Sequence, residues 1–414
     1  MTTVATDPPQ RLPDAARLGL WGLVALVVAL VRNGVWGTPN LPFFSTIADR
    51  WGSNPFPKGL DGDYLLTNLL GPTLARALGQ TSPHEYARLH LVGLVVGLTA
   101  VIAAAYRRLG YRPAVMLLWV VAASPALTVA MEWLGQPDVW TFTLALALPL
   151  CRRHVTGFVL ALLLGLSHPE QGLVAAAVAV AAMATTDNRV RSIAAWAAGF
   201  LGGVVSGRLI TQAYLWSNDI EVSRPRTAYL CLGLGGFLDH HLKSPYALLY
   251  SLWGPLWAVV AYLTWRWWNV REFGSDTSAL SSWPWVMVVA AAGLVPVMVT
   301  LDETRVYAMT TAPFLVVLAS TLAELSPIRS IGESSGPSPQ TAPRDARRTL
   351  AGVMAVVSLA AMPGMFNAGD DYWAPALRPV EFARFLADGT VPGGPAHTGQ
   401  WLLSPFGFKV PPAC

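Results

Sequence analysis

Hydrophobic positions fall into long runs that are separated by short polar turns along the whole chain. Because a helix needs about 20 mostly apolar residues to cross a bilayer, this pattern predicts an all-α, polytopic membrane protein with about eleven transmembrane helices. The predicted spans are 16–32, 87–106, 113–132, 138–151, 155–167, 172–184, 192–214, 245–266, 283–301, 305–323 and 349–367. Two of these runs, 155–167 and 172–184, are short, so they form either two short helices or a re-entrant hairpin.

Composition agrees with this class. Hydrophobic residues make up 53% of the 414 residues and charged residues only 13%, whereas a soluble domain carries about 25% charged residues. The pI near 9.0 does not indicate nucleic-acid binding, because the arginines lie in short turns between apolar runs. We therefore expect the bilayer, and no nucleic acid, as a partner.

One set of arginines falls on alternate turns, which predicts that those turns are cytoplasmic. They are Arg107, Arg108, Arg112, Arg152, Arg153, Arg189, Arg191, Arg266, Arg271, Arg329, Arg344, Arg347 and Arg348. The chain is then a multi-pass protein of the inner or plasma membrane, with its N terminus in the cytoplasm and its C terminus outside.

This topology divides the chain into five parts. A cytoplasmic tail, 1–15, precedes a transmembrane core, 16–323, and a cytoplasmic linker rich in Ser, Pro and Gly, 324–348, follows the core. The last span, 349–367, leads to an extracytoplasmic tail, 368–414.

The predicted outer turns gather acidic and histidine residues from all along the chain. These turns are 56–64, 132–138, 167–171, 236–241, 301–305 and 369–373. The first outer loop continues into segment 64–79, whose leucines recur every four residues and predict a helix on the membrane surface, bent at Pro72.

Two of these turns carry short motifs. "LDGDY" (60–64) has an Asp-x-Asp arrangement, and "LDETRVYAMTTAPFLVV" (301–317) has an acidic-x-Arg element at the start of a span. With the predicted topology and surface helix, they give the chain a resemblance to the GT-C superfamily of integral membrane glycosyltransferases. The resemblance implies an enzyme that takes a sugar from a polyprenyl-phosphate donor on the outer face of the membrane.

For such a reaction, Asp61 and Asp63 are the candidate catalytic residues. A carboxylate is a competent base for an acceptor hydroxyl, and two Asp separated by one residue can present oxygens to Mg²⁺ or Mn²⁺. The alternative is an ordinary polar turn, in which Gly and Asp are common.

Arg305 is the candidate for the donor phosphate, because its planar fork of N–H donors matches a phosphate group. Asp302 and Glu303 are counted with it as substrate-binding residues. The alternative is that Arg305 ends a helix and pairs with one of these two acids.

Three further residues, His168, Glu170 and His240, are candidate substrate contacts, although each lies in a segment that also suits a polar turn. Asp138 is predicted to be the N-cap of the span that begins at Val139, with entry into the site as the alternative.

The predicted function is transfer of a sugar, a hexose or a pentose (mannose among the hexoses), from polyprenyl phosphate to an envelope glycan, lipid or protein. A transporter or lipid flippase is the main alternative, and a non-catalytic scaffold or a polymerase of lipid-linked glycans also stays open. We further expect Cys231 and Cys414, both on the outer side, to be able to form a disulfide.

Overall fold

The computed structural model describes most of the core, and several predictions fall on other parts of the chain. The described residues are 11–33, 41–55, 63–185, 190–222, 233–242, 245–273, 283–298, 300 and 302–325, with short stretches between 358 and 388. The predictions for Asp61, for the possible disulfide, and for most of the linker, last span and tail lie outside them. The same holds for the side chains of Asp63 and His240.

In the described part of the chain, the regular elements are helices, apart from one antiparallel hairpin of β1, Phe366–Ala368, and β2, Asp371–Trp373. This confirms the all-α prediction. The α-helices are α1 Arg11–Asn33, α2 Leu41–Asp49, α3 Leu70–Leu78, α4 Pro83–Leu109, α5 Tyr111–Ala123, α6 Pro125–Glu132, α7 Asp138–Ala147, α8 His154–Ser167, α9 Pro169–Ala184, α10 Val190–Ser217, α11 Gly233–Leu242, α12 Pro245–Trp253, α13 Leu256–Phe273, α14 Trp283–Ala292, α15 Leu294–Val297, α16 Glu303–Thr311 and α17 Pro313–Leu325. Two 3₁₀ turns, Asp63–Thr67 and Leu148–Leu150, lie between them.

Several helices are long and apolar enough to cross a bilayer, which supports a multi-pass membrane protein. Three single helices of the described part meet this condition, or five spans if each of two bent pairs is one span: Asp14–Asn33, Pro83–Leu109, Ser192–Ser217, Tyr111–Ala123 with Pro125–Glu132, and Glu303–Thr311 with Pro313–Glu324. The count of eleven spans and the orientation of the termini stay predictions.

Two predicted spans, 113–132 and 305–323, are broken helices in the structure. The axes of their two halves differ by 58° and 59°, and in each the second half starts with a proline, Pro125 or Pro313. Proline has no N–H for the preceding turn and its ring clashes with the carbonyl four residues earlier. The two prolines predict the break, although the apolar run continues on both sides of each proline.

The short runs form two separate helices, α8 and α9, that pack on α10. Where α8 crosses α10, a Cβ on Gly203 would lie 2.5 Å from the carbonyl oxygen of Phe158, and one on Gly207 would lie 2.4 Å from that of Leu162. Such contacts are possible only for glycine, which lets two helices approach closely. The crossing therefore determines where the next residue, Arg208, lies.

The segment predicted as one surface helix, 64–79, is a 3₁₀ turn followed by α3. Leu66 and Leu70 of the predicted apolar stripe are buried inside the protein, while Leu78 is exposed. Pro72 lies in the first turn of α3, where its missing N–H is not needed for a helical bond. It starts the helix instead of bending it.

Two of the predicted cytoplasmic turns meet at one end of the bundle. Arg152 donates from Nη2 to the carbonyl oxygen of Arg107 at 2.6 Å, and Arg108 donates to the carbonyl oxygen of Cys151. The end of α4 and the start of α8 therefore lie together, as a common side of the membrane requires.

Candidate functional site

A cavity of about 670 Å³ lies between the 3₁₀ turn of residues 63–67, the start of α9, the C-terminal half of α10 and the segment after α10. Its size is in the range of ligand-binding pockets. The lining residues are Tyr64, Thr67, Glu170, Arg208, Gln212, Leu215, Trp216, Asp219, Ile220, Glu221 and Val222. The lining of the cavity therefore contains both polar and apolar side chains.

One face of α10 forms a wall of this cavity. Arg208, Gln212, Leu215 and Trp216 line it, and positions spaced by four, seven and eight residues share a helix face. At 1.5 Å per residue, this wall extends for about 12 Å. Arg208 belongs to the apolar helix Ser192–Ser217, and an ionisable residue within a membrane helix is rare outside functional sites.

Arg208 has a weak acidic partner beside it in the cavity lining. Its Nη1 atom lies 4.0 Å from Oε1 of Glu170, and the two side chains are 38% and 51% exposed. The same nitrogen has no hydrogen-bond partner among the residues that the structure describes. The N–H groups of Nη1 are therefore not satisfied by the described residues.

The 63–67 turn is fixed beside the start of α9. The backbone N–H of Leu69 donates to the carbonyl oxygen of Leu166 at 2.9 Å, which joins the chain after the turn to the end of α8. Tyr64 and Thr67 line the cavity. Because Asp63 precedes Tyr64, its backbone lies next to the cavity.

His168 and Glu170, predicted as substrate contacts, occupy different environments. His168 is buried and its Nδ1 accepts the N–H of Gln171 at 3.3 Å, which caps α9. The same nitrogen lies 3.5 Å from Oε2 of Glu170. Glu170 lines the cavity, whereas His168 supports the turn behind it.

Arg305 lies in a second, buried cluster. Its Nε donates to Oδ1 of Asp138 at 2.8 Å, and its Nη2 donates to Oε1 of Gln136 at 3.3 Å. The Nη1 atom is 3.5 Å from Oδ2 of Asp302, and the guanidinium carbon is 5.4 Å from the centre of the Trp133 ring. The loop before α7 therefore holds this arginine on several sides.

The prediction that Asp138 is an N-cap is wrong. Pro137 occupies the N-cap position without a side-chain hydrogen bond, and Asp138 is the first residue of α7, fully buried and paired with Arg305. A buried guanidinium requires a fixed anion. Gly135, with φ of 95°, supplies the backbone turn that brings the carboxylate to it.

Glu303 pairs with a histidine and not with Arg305. His241 Nδ1 lies 2.9 Å from Oε1 of Glu303, and both side chains are buried. This contact joins α11 to the start of α16. The residue predicted from the sequence to contact substrate is His240, next to His241. Its side chain lies outside the described residues, so its role stays a prediction.

The two sites share no lining residue. Tyr64 lines the cavity, whereas Arg305 is 7% exposed and is not among the lining residues.

Within the described part of the chain, no three His, Cys, Asp or Glu side chains come together to hold a metal ion. Asp61 and the carboxylate of Asp63 lie outside that part. The Mg²⁺ or Mn²⁺ at this pair stays a prediction.

Arg208, Gln136 and Glu132 were not selected from the sequence. Arg208 had a clear signal, because it is a charge inside the apolar run 192–214. Glu132 lies in a predicted outer turn, yet its side chain is fully buried, and neither carboxyl oxygen has a hydrogen-bond partner among the residues described.

No protein-family model and no curated protein sequence matches the chain. Among solved structures, it is similar to ArnT from Cupriavidus metallidurans bound to undecaprenyl phosphate, with 16% identity and a TM-score of 0.48 over 84% of this chain and 71% of ArnT. It is also similar to the oligosaccharyltransferase of Archaeoglobus fulgidus in the apo form, with 12% identity and a TM-score of 0.44 over 87% of this chain and 57% of that enzyme. At identities below 25% and TM-scores below 0.5, this similarity does not assign an activity or a site.

Proposed function

We propose that the chain is a membrane glycosyltransferase that moves a sugar from a polyprenyl-phosphate donor to an acceptor of the cell envelope. One observation carries this proposal: Arg208, inside an apolar helix, faces a cavity of about 670 Å³ next to the turn that begins at Asp63. A polyprenyl phosphate has an apolar tail for the bilayer and an anionic group for an arginine. The cavity offers both environments.

In this proposal Arg208 is the main contact of the donor phosphate. Its Nη1 is only weakly paired, at 4.0 Å from Glu170, and a guanidinium can donate two parallel hydrogen bonds to a phosphate. Arg305, held by Asp138 and Gln136, adds positive charge at the same end of the bundle. Asp302, a third exposed, and the buried Glu303 position this arginine and its helix.

Asp63, with Asp61 as the alternative, is the proposed base. The carboxylate takes the proton of the acceptor hydroxyl, the acceptor oxygen forms a bond to the anomeric carbon, and the bond from that carbon to the phosphate oxygen breaks. The products are the glycosylated acceptor and polyprenyl phosphate. We propose Mg²⁺ or Mn²⁺ at the same two carboxylates, where it would neutralise phosphate charge.

The test compares envelope glycans and lipid-linked sugars by mass spectrometry in a deletion strain. The strain is complemented with wild type or with Asp61→Asn, Asp63→Asn, Arg208→Gln or Arg305→Lys, at matched membrane levels. Glu324→Gln is the control, because this exposed carboxylate lies at the far end of α17. We expect Asp63→Asn and Arg208→Gln to lose one sugar from a glycan and to accumulate the lipid-linked donor. A wild-type profile in all four variants would overturn the proposal.

A transporter or flippase is the second candidate, because two helix pairs are bent by 58° and 59° within apolar segments and interrupted helices are common in transporters. Reconstituted vesicles separate the two functions. A transferase releases polyprenyl phosphate from the lipid-linked sugar in the presence of acceptor, whereas a flippase moves the intact lipid between leaflets.

A further inference from the structure

The segment that follows α10 brings two carboxylates to the cavity. Asp219 and Glu221 both line it and are exposed. Neither forms an ion pair with any residue in the described ranges, and Arg208, the one cation among the lining residues, is on the side of Glu170. The cavity therefore has two acidic groups that Arg208 does not neutralise.

The first outer loop holds this acidic segment in place. The N–H of Gly52 donates to the Tyr214 hydroxyl at 3.0 Å, and the rings of Trp51 and Tyr214 are 4.5 Å apart at their centres. Farther along, Asn54 donates from Nδ2 to the carbonyl oxygen of Glu221 at 3.5 Å. The two carboxylates thus belong to a packed rim.

The backbone at Asp219 also suits a role for its side chain. With φ of 51°, it is the one non-glycine residue of the described chain with positive φ, and its N–H donates to the carbonyl oxygen of Trp216 at 3.2 Å as α10 ends. Glycine is the usual residue at such a helix end. Aspartate gives the same turn and adds a carboxylate at the cavity.

Along α10 the lining residues occur in a fixed order. Arg208 comes first, Gln212 follows one turn later, and Trp216 lies about 12 Å from Arg208 along the axis. Asp219 and Glu221 come just after the helix. A phosphate bound at Arg208 therefore places an attached sugar along Gln212 and toward Trp216 and the acidic rim.

The chemistry of the rim fits a sugar ring better than a phosphate. Carboxylates repel phosphate but accept strong, charge-assisted hydrogen bonds from hydroxyl groups. The Trp216 side chain is 84% exposed and offers an aromatic surface to the apolar face of a ring. Gln212 can both donate and accept hydrogen bonds.

We propose that Asp219 and Glu221, beside Trp216, form the subsite that recognises the sugar of the lipid-linked donor. The inference rests on the proposed function, because it takes the phosphate at Arg208 as given. It assigns donor selectivity to the segment after α10, separate from the phosphate contact and from the base.

The test measures binding of four lipids of equal chain length to the full chain in nanodiscs, by native mass spectrometry. The probes are polyprenyl phosphate and polyprenyl phosphate carrying mannose, arabinose or N-acetylglucosamine. The variants are Asp219→Asn with Glu221→Gln, Arg208→Gln, and the control Glu324→Gln. Asparagine tolerates positive φ, so we expect the double variant to fold, which its thermal unfolding midpoint checks.

We expect wild type and the control to bind at least one sugar-bearing probe about tenfold tighter than the bare phosphate. The double variant should lose this preference and keep its affinity for polyprenyl phosphate, whereas Arg208→Gln should lose affinity for all four lipids. A preference that survives in the double variant, or a wild type with no preference, overturns the sugar subsite. A wild type that binds none of the four lipids overturns the proposed function as well.

Discussion

Arginines at the two ends of the helical bundle have different kinds of partner. At one end, Arg108 and Arg152 donate to the backbone carbonyl oxygens of Cys151 and Arg107. At the other end, Arg305 pairs with the carboxylate of Asp138 at 2.8 Å, and Arg208 lies 4.0 Å from Glu170 in the lining of a cavity.

The two kinds of partner differ in what they cost. Carbonyl groups at a helix end carry partial negative charge, so an arginine there satisfies the backbone and keeps its own charge near solvent. A buried arginine such as Arg305 requires a full negative charge at a fixed distance. The second arrangement is therefore the costlier one to build.

The largest expected effect is at the buried pair. Asp138→Ala leaves the Arg305 guanidinium buried without its anion, and we expect a loss of about 3–5 kcal/mol in the free energy of unfolding. Denaturant or thermal unfolding of the protein in detergent, followed by tryptophan fluorescence, measures it.

A second variant separates the effect of the unpaired Arg305 charge from the effect of the lost Asp138 side chain. Asp138→Ala combined with Arg305→Met removes both members of the pair, so it should be more stable than Asp138→Ala alone. If Asp138→Ala unfolds at the wild-type midpoint, the pair does not hold the loop before α7.

The next effect concerns the crossing that positions Arg208. In Gly207→Ala the new Cβ would lie 2.4 Å from the carbonyl oxygen of Leu162, so α8 and α10 must separate. We expect a loss of about 1–3 kcal/mol and weaker binding of polyprenyl phosphate. Thermal unfolding and the nanodisc binding assay measure the two effects.

Gly199→Ala is the matched control on the same helix, because a Cβ there meets nothing within 4 Å. Alanine is the better helix former, so this variant should be as stable as wild type or slightly more stable. Equal losses in both variants would mean that close approach of the two helices is not the cause.

A smaller effect is expected at the other end of the bundle. Arg152→Ala removes one hydrogen bond from an exposed arginine to the carbonyl oxygen of Arg107, and such a bond contributes under about 1 kcal/mol here. Lipid binding should be unchanged. A loss as large as that of Asp138→Ala would contradict the distinction between the two ends.

The smallest effect is a rate of chemical labelling. The Cys151 side chain is 5% exposed, and a buried structural cysteine is inert to thiol reagents. In a variant with Cys231→Ser and Cys414→Ser, maleimide should label Cys151 slowly until the protein unfolds. Rapid labelling of the folded protein would show that this end is open to solvent.

The sequence alone determined the all-α membrane class and the separation of arginine-rich turns from acidic turns. Both are local properties, since a span follows from about 20 consecutive apolar residues and a turn from its own composition. The short runs 155–167 and 172–184 were recognised for the same reason, and the prolines that break two spans, Pro125 and Pro313, were visible in the sequence.

Only the tertiary structure decided which partner each charged residue takes. Arg305 was expected to bind phosphate or pair with its neighbours Asp302 and Glu303, yet its closest carboxylate is Asp138, 167 residues away in the chain. Glu303 instead meets His241. Burial selects the partner that packing brings to 2.8 or 2.9 Å, and that distance depends on helix crossings such as the one at Gly207. The sequence shows which charged residues the chain has. The close packing of helices that are distant in the chain decides which of these residues are in contact.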